Sequence, residues 1–240
     1  MLLFRIVVSG YEVKRLCEKI MASANFSELR QNFVKGQLLP QGIYKTSLLD
    51  VFYQVPREYF LEDVQKSRAY LDQDISYTDI TSSRGILSSL KLAKLLHLIT
   101  PLPQQKILML GFNYGYSLAL AHAWGLKVFG VEENPLLLSA AYANLVQYFE
   151  ERYGTTHVDD ILTLEQGVLT HGLGHYAFYD YILIEGGVRD VPLALYDQLK
   201  DTGVIIGISM QQPLGLFTAN KQGHKVYFGF ETASLLKGFE

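Results

Sequence analysis

The pattern of apolar and polar positions changes near residue 100. Before that point, residues 86–98 carry apolar side chains at helical spacing, with Lys91 and Lys94 on another face. This pattern predicts an amphipathic helix that ends before Pro101, and we expect residues 1–100 to be mostly helical. Beyond residue 100, short apolar runs alternate with helical segments, which is typical of an α/β protein.

The second part of the chain is predicted to alternate strands with helices. Strands are expected at 106–110, 127–131, 161–164, 181–185, 204–209, 214–219 and 224–231, and helices at 116–124, from 135 to about 153, and near 191–200. Asn134 is a good N-cap for the second helix, and Gly186-Gly187 is expected to end the fourth strand. The predicted fold class is α/β, a mostly parallel Rossmann-like sheet with helices on both faces and an antiparallel C-terminal hairpin.

Composition and charge narrow the class of protein. Of the 240 residues, 49% are hydrophobic and 19% are charged, so a sizeable core is expected. The net charge of -3 gives no basic surplus for nucleic acid, and no apolar run reaches the ~18 residues that a membrane span needs. The single cysteine, Cys17, fits a reducing compartment, and charged residues interrupt the signal-like start, so we expect a cytoplasmic protein.

A glycine-containing turn follows the first strand predicted after residue 100. Its sequence is Gly111-Phe112-Asn113-Tyr114-Gly115-Tyr116, and Glu132 follows Gly111 by 21 positions, at the end of the next strand. Glycines let a backbone approach a ligand closely, and a carboxylate about 20 residues later accepts hydrogen bonds from ribose hydroxyls. This order predicts a site for an adenosine-containing cofactor. The alternative is a tight turn followed by a surface acid.

Several short segments, in a fixed order, carry a family resemblance. They are Val55-Pro56-Arg57-Glu58-Tyr59-Phe60, Ala69-Tyr70 with Asp72, Ile107-Leu108, Gly115-Tyr116, Val131-Glu132, Ala143-Asn144-Leu145, Asp180-Tyr181-Ile182, and Val191-Pro192 with Leu195 and Gly203. Over roughly residues 30–215, the chain resembles the protein-L-isoaspartate O-methyltransferase family. The resemblance implies a protein-repair enzyme that transfers a methyl group from S-adenosylmethionine to the carboxylate of isoaspartyl residues in proteins or peptides.

The resemblance also implies roles for individual residues. The residues expected to contact the cofactor are Met109, Gly111, Asn113, Gly115, Tyr116, Glu132 and Val168. Thr81 falls where the family has its active-site serine, so Thr81 and Ser82 are expected to orient the substrate carboxylate, with Arg84 nearby. No metal site is expected, because glycines between His171 and His175 argue against a helix that would align them.

Three departures from the family pattern concern the cofactor. Met109 stands where the family has an acid that orients the amino acid end, Asn113 replaces a glycine, and Val168 replaces an acid that binds the adenine amino group. Each lost hydrogen bond to a charged group is worth about 1.5–3 kcal/mol. Cofactor binding is therefore expected to be weak, altered or lost. The alternative function is that of a degenerate relative that acts as a binding module without methyl transfer.

The resemblance finally implies a division of the chain. We expect an N-terminal extension at 1–30, a helical N-terminal part of the catalytic domain at 31–100, and the Rossmann-like methyltransferase domain at 101–240. Because Met21 stands just upstream of the first matching segment, we hypothesise that residues 1–20 are an extension or that Met21 is the natural start.

Overall fold

The computed structural model describes residues 25–77, 84–228, 232–234 and 236–239. The α-helices of these residues are α1 (Phe26–Phe33), α2 (Thr46–Gln54), α3 (Ser89–His97), α4 (Tyr116–Ala123), α5 (Pro135–Tyr153) and the single turn α6 (Leu193–Tyr196). The strands are β1 (Ile75–Ser76), β2 (Gly85–Ile86), β3 (Lys106–Leu110), β4 (Lys127–Glu132), β5 (Thr163–Gln166), β6 (Tyr179–Val188), β7 (Leu199–Ser209), β8 (Gly215–Asn220) and β9 (Gly223–Phe228). Residues 1–24, which include Cys17 and Met21, lie outside the described residues.

A seven-stranded sheet forms the centre of the molecule. Its strand order is β5-β4-β3-β6-β7-β8-β9, with the first five strands parallel and the last two antiparallel. The chain runs outward from β3 through β4 to β5 and then returns to place β6 on the other side of β3. The order therefore reverses between β3 and β6, which is where ligands bind in sheets of this kind. The mixed sheet and the C-terminal hairpin confirm the predicted fold class.

The two faces of the sheet are covered unequally. Helices α2 to α5 pack on one face and, with the chain before residue 100, enclose the larger core, which includes Met109 of β3 and Leu183 of β6. The opposite face is covered by the single turn α6, short 3₁₀ turns and the C-terminal residues Leu236 and Phe239. Each fully buried aliphatic side chain contributes about 1.5–3 kcal/mol. The larger core therefore joins the N-terminal segment firmly to the sheet.

Local sequence signals account for the best predicted elements. Asn134 accepts the backbone N–H of Leu136, Pro135 occupies the first position of α5, and Gly154 ends that helix at φ +71°. Strand β3 has the predicted bounds, and α4 begins and ends within one residue of its prediction. In these segments the cap residues and the spacing of apolar residues indicate the same element bounds, so tertiary contacts change those bounds little.

The predicted helix at 191–200 is wrong in extent, because only one turn forms there. The side chain of Gln198 accepts the N–H of Leu173 and donates to the carbonyl of His171, which ties this residue to the preceding loop. Leu199 then begins β7 by pairing with Tyr179. Pairing with β6 thus ends the helix and lengthens the strand, which was predicted to begin at residue 204.

Strands β5 and β6 also differ from their predicted bounds by two residues or more. Strand β5 begins at Thr163 rather than at 161, because the N–H groups of Ile161 and Leu162 close a turn on the Val158 carbonyl. Strand β6 continues through the two glycines that were predicted to end it. A Cβ on Gly186 would lie 2.6 Å from Leu236 Cγ, so this glycine permits the C-terminal residues to pack closely rather than turning the chain.

Candidate functional site

The turn after β3 holds three residues in the left-handed region of φ. Gly111 has φ +73°, Asn113 φ +54° and Gly115 φ +93°. Asparagine is one of the few residues other than glycine that adopts such a conformation at small cost, so Asn113 is compatible with this turn. Gly115 leads directly into α4, and its α-carbon faces Ala141 and Leu145 of α5. The turn therefore presents its backbone at the carboxyl end of β3, where the strand order reverses.

Glu132 ends β4 beside this turn, and its carboxylate is fully buried. It accepts the backbone N–H groups of Asn113 at 3.4 Å and Asn134 at 3.1 Å. It also accepts two hydrogen bonds from one arginine, Arg84, at 2.7 Å from Nη1 and 3.0 Å from Nη2. Because an ionised carboxylate offers about four acceptor positions, these four donors satisfy it completely.

Arg84 thus occupies the space beside the acid that the sequence assigns to ribose. Its side chain is 7% exposed, and its Nη2 also donates to the Gly111 carbonyl at 2.8 Å. Burial acts to lower the pKa of Arg84, but the hydrogen bonds and charge of Glu132 outweigh burial and raise the pKa. A Cβ on Gly111 would lie 2.9 Å from this Nη2. The guanidinium group of Arg84 therefore packs directly against the Gly111 turn and fills the space between this turn and Glu132.

Asn113 connects the turn to a second buried acid, Glu185 of β6. Its Nδ2 donates to Glu185 Oε1 at 2.9 Å, and its Oδ1 accepts the hydroxyl of Tyr77. Burial raises the pKa of Glu185, while the neighbouring polar side chains of Ser117 and Asn113 and the charge of Arg84 act against that rise. Burial likewise raises the pKa of Tyr77. The site consequently contains two acids, one arginine and one amide in a single network.

Val168 follows β5 and lies next to the strand end that carries Glu132. The N–H of the preceding Gly167 bonds to the Glu132 carbonyl at 3.2 Å, and the Val168 side chain is exposed. The ends of β3, β4 and β5 therefore bring Gly111, Glu132 and Val168 to one edge of the sheet. This is the edge at which a cofactor would lie.

A sequence model of the family described as protein-L-isoaspartate(D-aspartate) O-methyltransferase matches residues 30–231. The chain belongs to this family. A protein-L-isoaspartate O-methyltransferase of Syntrophobacter fumaroxidans is 28% identical over 204 residues, which cover 84% of this chain and 90% of the relative. One of Desulfotalea psychrophila is 27% identical over 202 residues, covering 83% and 88%.

Solved structures agree with this membership at the level of the fold. A structure described as a protein-L-isoaspartate O-methyltransferase superposes with a TM-score of 0.67 at 23% identity, covering 85% of this chain and 65% of the other. A second, described as a Plasmodium falciparum protein of this type in complex with S-adenosyl-L-homocysteine, gives a TM-score of 0.68 at 18% identity, covering 90% and 100%.

The family positions of the chain divide into three groups in the structure. Gly111, Asn113 and Glu132 come together in the network, whereas Met109 is fully buried in the larger core. The ring of Tyr116 packs against Phe52 and Phe60 instead of joining the network, so its contact with a cofactor stays a prediction. Thr81 and Ser82 lie outside the described residues, and their substrate role also stays a prediction.

Sequence reasoning missed three members of the network, Tyr77, Glu185 and the Arg84 side chain as a partner of Glu132. Glu185 carried a usable signal, because a charged residue inside an apolar strand that approaches a ligand edge is unusual. The pairing of Arg84 with Glu132 carried none, since 48 residues separate the two.

The described part of the chain holds neither a metal-ligand cluster nor a membrane-spanning helix. No group of three or more His, Cys, Asp or Glu side chains is arranged there to hold a metal ion. His175 bonds instead to Glu165, at 3.0 Å. Within the same residues, no helix combines the length and apolar character needed to cross a bilayer.

Proposed function

We propose that this protein transfers a methyl group from S-adenosylmethionine to the carboxylate of isoaspartyl residues in proteins or peptides. The observation that carries the proposal is that, in a chain of this family, the Gly111 turn and Glu132 meet at the reversal point of the sheet. When bound, S-adenosylmethionine would supply a methyl carbon that bonds to the carboxylate oxygen as its bond to sulfur breaks.

The residues of this chain would bind and orient the reactants rather than exchange protons with them. A carboxylate is already a nucleophile, so positioning does most of the work. Glu132 would accept the ribose hydroxyls, and Val168 would pack against the adenine. Thr81 and Ser82 would hold the substrate carboxylate. The positive-φ turn at Gly111 and Gly115 would allow the backbone to approach the cofactor.

Glu132 fits the ribose role only if Arg84 leaves it. The four donors that now satisfy the carboxylate include both Arg84 nitrogens, while Asn113 and Asn134 contribute backbone N–H groups that belong to the fold itself. Two ribose hydroxyls would replace two arginine donors. Cofactor binding is thus proposed to proceed with displacement of Arg84 from Glu132.

A second candidate function is that of a family member that has lost methyl transfer and acts as a binding module. The Arg84–Glu132 pair favours it, because this buried ion pair satisfies the acid without a ligand. The burial of Met109 at a position where the family has an acid supports the same candidate. For both candidates we propose a cytoplasmic protein without a nucleic-acid or membrane partner, divided at residues 30 and 100 as expected from the sequence.

Calorimetric titration of S-adenosylhomocysteine and S-adenosylmethionine separates the two candidates. Micromolar binding, followed by methylation of an isoaspartyl peptide, is the expected result. Absence of binding at millimolar ligand would make the binding module the better account. The V168D variant tests the adenine contact directly. Residue 168 is exposed, so it accepts a carboxylate without loss of stability. The new carboxylate should accept a hydrogen bond from the adenine amino group and tighten cofactor binding about tenfold. An unchanged affinity would contradict the adenine role of residue 168.

A further inference from the structure

Glu185 lies two residues beyond the strand partner of Met109, the position at which the family resemblance implies an acid. Met109 of β3 pairs with Leu183 of β6, and both side chains enter the larger core. Glu185 follows Leu183 by two residues toward the carboxyl end of β6, within a segment where the pairing of β6 with β7 is irregular. Its contact with Asn113 places its carboxyl group at the turn after β3. The chain therefore retains an acid at this end of the site, on the neighbouring strand.

The carboxyl group of Glu185 has one unused oxygen. The residue is 4% exposed; Oε1 accepts from Asn113 Nδ2, whereas Oε2 has no hydrogen-bond partner among the described residues. A buried polar atom without a partner is unfavourable, and native structures keep few of them outside functional sites. A ligand that donates hydrogen bonds, and above all a cationic one, would satisfy this oxygen.

The order of strands indicates which part of the cofactor meets this oxygen. Along the sheet, Val168 follows β5, Glu132 ends β4, the Gly111 turn follows β3, and Glu185 lies near the end of β6. If the adenine lies at Val168 and the ribose at Glu132, the amino acid end of the cofactor continues past β3 toward β6. Its α-ammonium group is a cation with three donors.

We propose that Glu185 binds this α-ammonium group in place of the acid missing at Met109. The inference rests on the proposed function, since it requires S-adenosylmethionine as the cofactor. Glu132 is a poorer candidate for the ammonium group, because the proposed function assigns its carboxylate to the ribose hydroxyls and two backbone N–H groups already donate to it. Asn113 then has a second task, since its amide holds one oxygen of Glu185 and leaves the other for the ligand.

Two ligands that differ only at the amino acid end test the proposal. S-adenosylhomocysteine carries the ammonium group, whereas 5′-methylthioadenosine has the same adenosine and sulfur without it. Both are titrated calorimetrically into the full chain, the E185Q variant and the D180N variant. Asp180 is the matched control, because it is a buried acid at the opposite end of β6, where it pairs with Lys200 at 2.8 Å.

E185Q should weaken binding of S-adenosylhomocysteine roughly ten- to a hundredfold and leave 5′-methylthioadenosine within about twofold. D180N should change neither affinity by more than that. Equal losses for both ligands in E185Q, or no loss, would overturn the proposal while the unmodified protein still binds S-adenosylhomocysteine. If the unmodified protein binds neither ligand, the proposed function fails, and this inference fails with it.

A stability measurement guards against a merely structural explanation. Because Glu185 is buried with one oxygen unpartnered, E185Q should unfold at an equal or higher temperature than the unmodified protein at neutral pH. A variant that is at least as stable but has lost selectivity for the ammonium group supports a binding role. A marked loss of stability together with loss of both ligands would indicate that Glu185 only holds the turn.

Discussion

Two buried arginines of this protein differ in the charge of the groups to which they donate hydrogen bonds. Arg57 is 1% exposed and donates to neutral acceptors, the Ser89 hydroxyl at 2.5 Å and the Leu87 carbonyl at 2.7 Å, with its guanidinium over the ring of Tyr116. Burial lowers its pKa. Arg84 donates to a carboxylate, and its pKa is raised. Burial alone therefore does not reveal what a buried arginine does.

The partners explain the difference. Arg57 links the N-terminal segment to α3 and to the core ring of Tyr116, so its bonds hold parts of the fold together. Arg84 bonds to Glu132 and to the Gly111 turn, both of which the proposed function assigns to the cofactor, so its bonds occupy the proposed ligand position. We expect the first arginine to be needed for stability alone and the second to compete with the cofactor.

The largest expected effect is that of Arg84→Met on stability. Removal of one partner of a buried ion pair leaves the other charge uncompensated, which costs about 3–5 kcal/mol. The double variant R84M/E132Q should recover most of this loss, because no buried charge remains. Urea denaturation of the single and double variants measures the free energy of unfolding that R84M loses and the part that E132Q restores. A single variant within about 1 kcal/mol of the unmodified protein would mean that water reaches Glu132 freely.

Arg57→Met should cost about 2–3 kcal/mol, because its hydrogen bonds are lost and the Leu87 carbonyl is left buried without that donor. Unlike the loss at Arg84, this one should not be rescued by neutralising Glu132. Arg189→Met, at an exposed position, is the control and should change the free energy of unfolding by about 0.5 kcal/mol or less. If E132Q restored the stability of R57M, the two arginines would not differ in their dependence on the charge of Glu132.

Ligand affinity should distinguish the two arginines a second time. A ligand that must first displace Arg84 binds more weakly than one that meets a free Glu132, so R84M should bind S-adenosylhomocysteine about tenfold more tightly. R57M should bind it with unchanged affinity wherever the variant is folded. Calorimetry below the unfolding temperature of each variant tests this. Weaker binding by R84M would show that the arginine contacts the cofactor directly.

The smallest expected effect is a pH dependence that arises from Glu185. Its pKa is raised in the folded protein, chiefly by burial, so the folded state favours the neutral acid. The resulting stabilisation is complete below the unfolded pKa and is lost as pH rises through the folded value. The stability advantage of E185Q should therefore grow as the pH rises above the ordinary glutamate pKa, in the range where the unfolded chain ionises and the folded protein resists ionisation. Thermal unfolding of both proteins across this range measures it; a constant difference would contradict the raised pKa.

The sequence brought Gly111 and Glu132 to one edge of the sheet but did not predict the hydrogen-bond network around them. Gly111 and Glu132 could be placed together, because parallel strands carry their carboxyl ends to one edge and the spacing fits one β-α-β unit. The contacts of Arg84 and Tyr77 with that edge could not be foreseen. Both residues precede the sheet in the chain, and only the packing of the N-terminal segment brings them to the turn.

What the sequence determined by itself are the elements whose signals are local. Helix α5 has its cap, its proline and its terminal glycine within the segment that they define, and β3 is a continuous apolar run. Tertiary structure decided the rest. Pairing of β7 with β6 limits a predicted helix to one turn. Arg84 forms its ion pair with Glu132, which lies 48 residues further along the chain. Those outcomes depend on contacts between distant segments. The free energy of these contacts exceeds the intrinsic secondary-structure preferences of the residues, and it cannot be read from a short stretch of sequence.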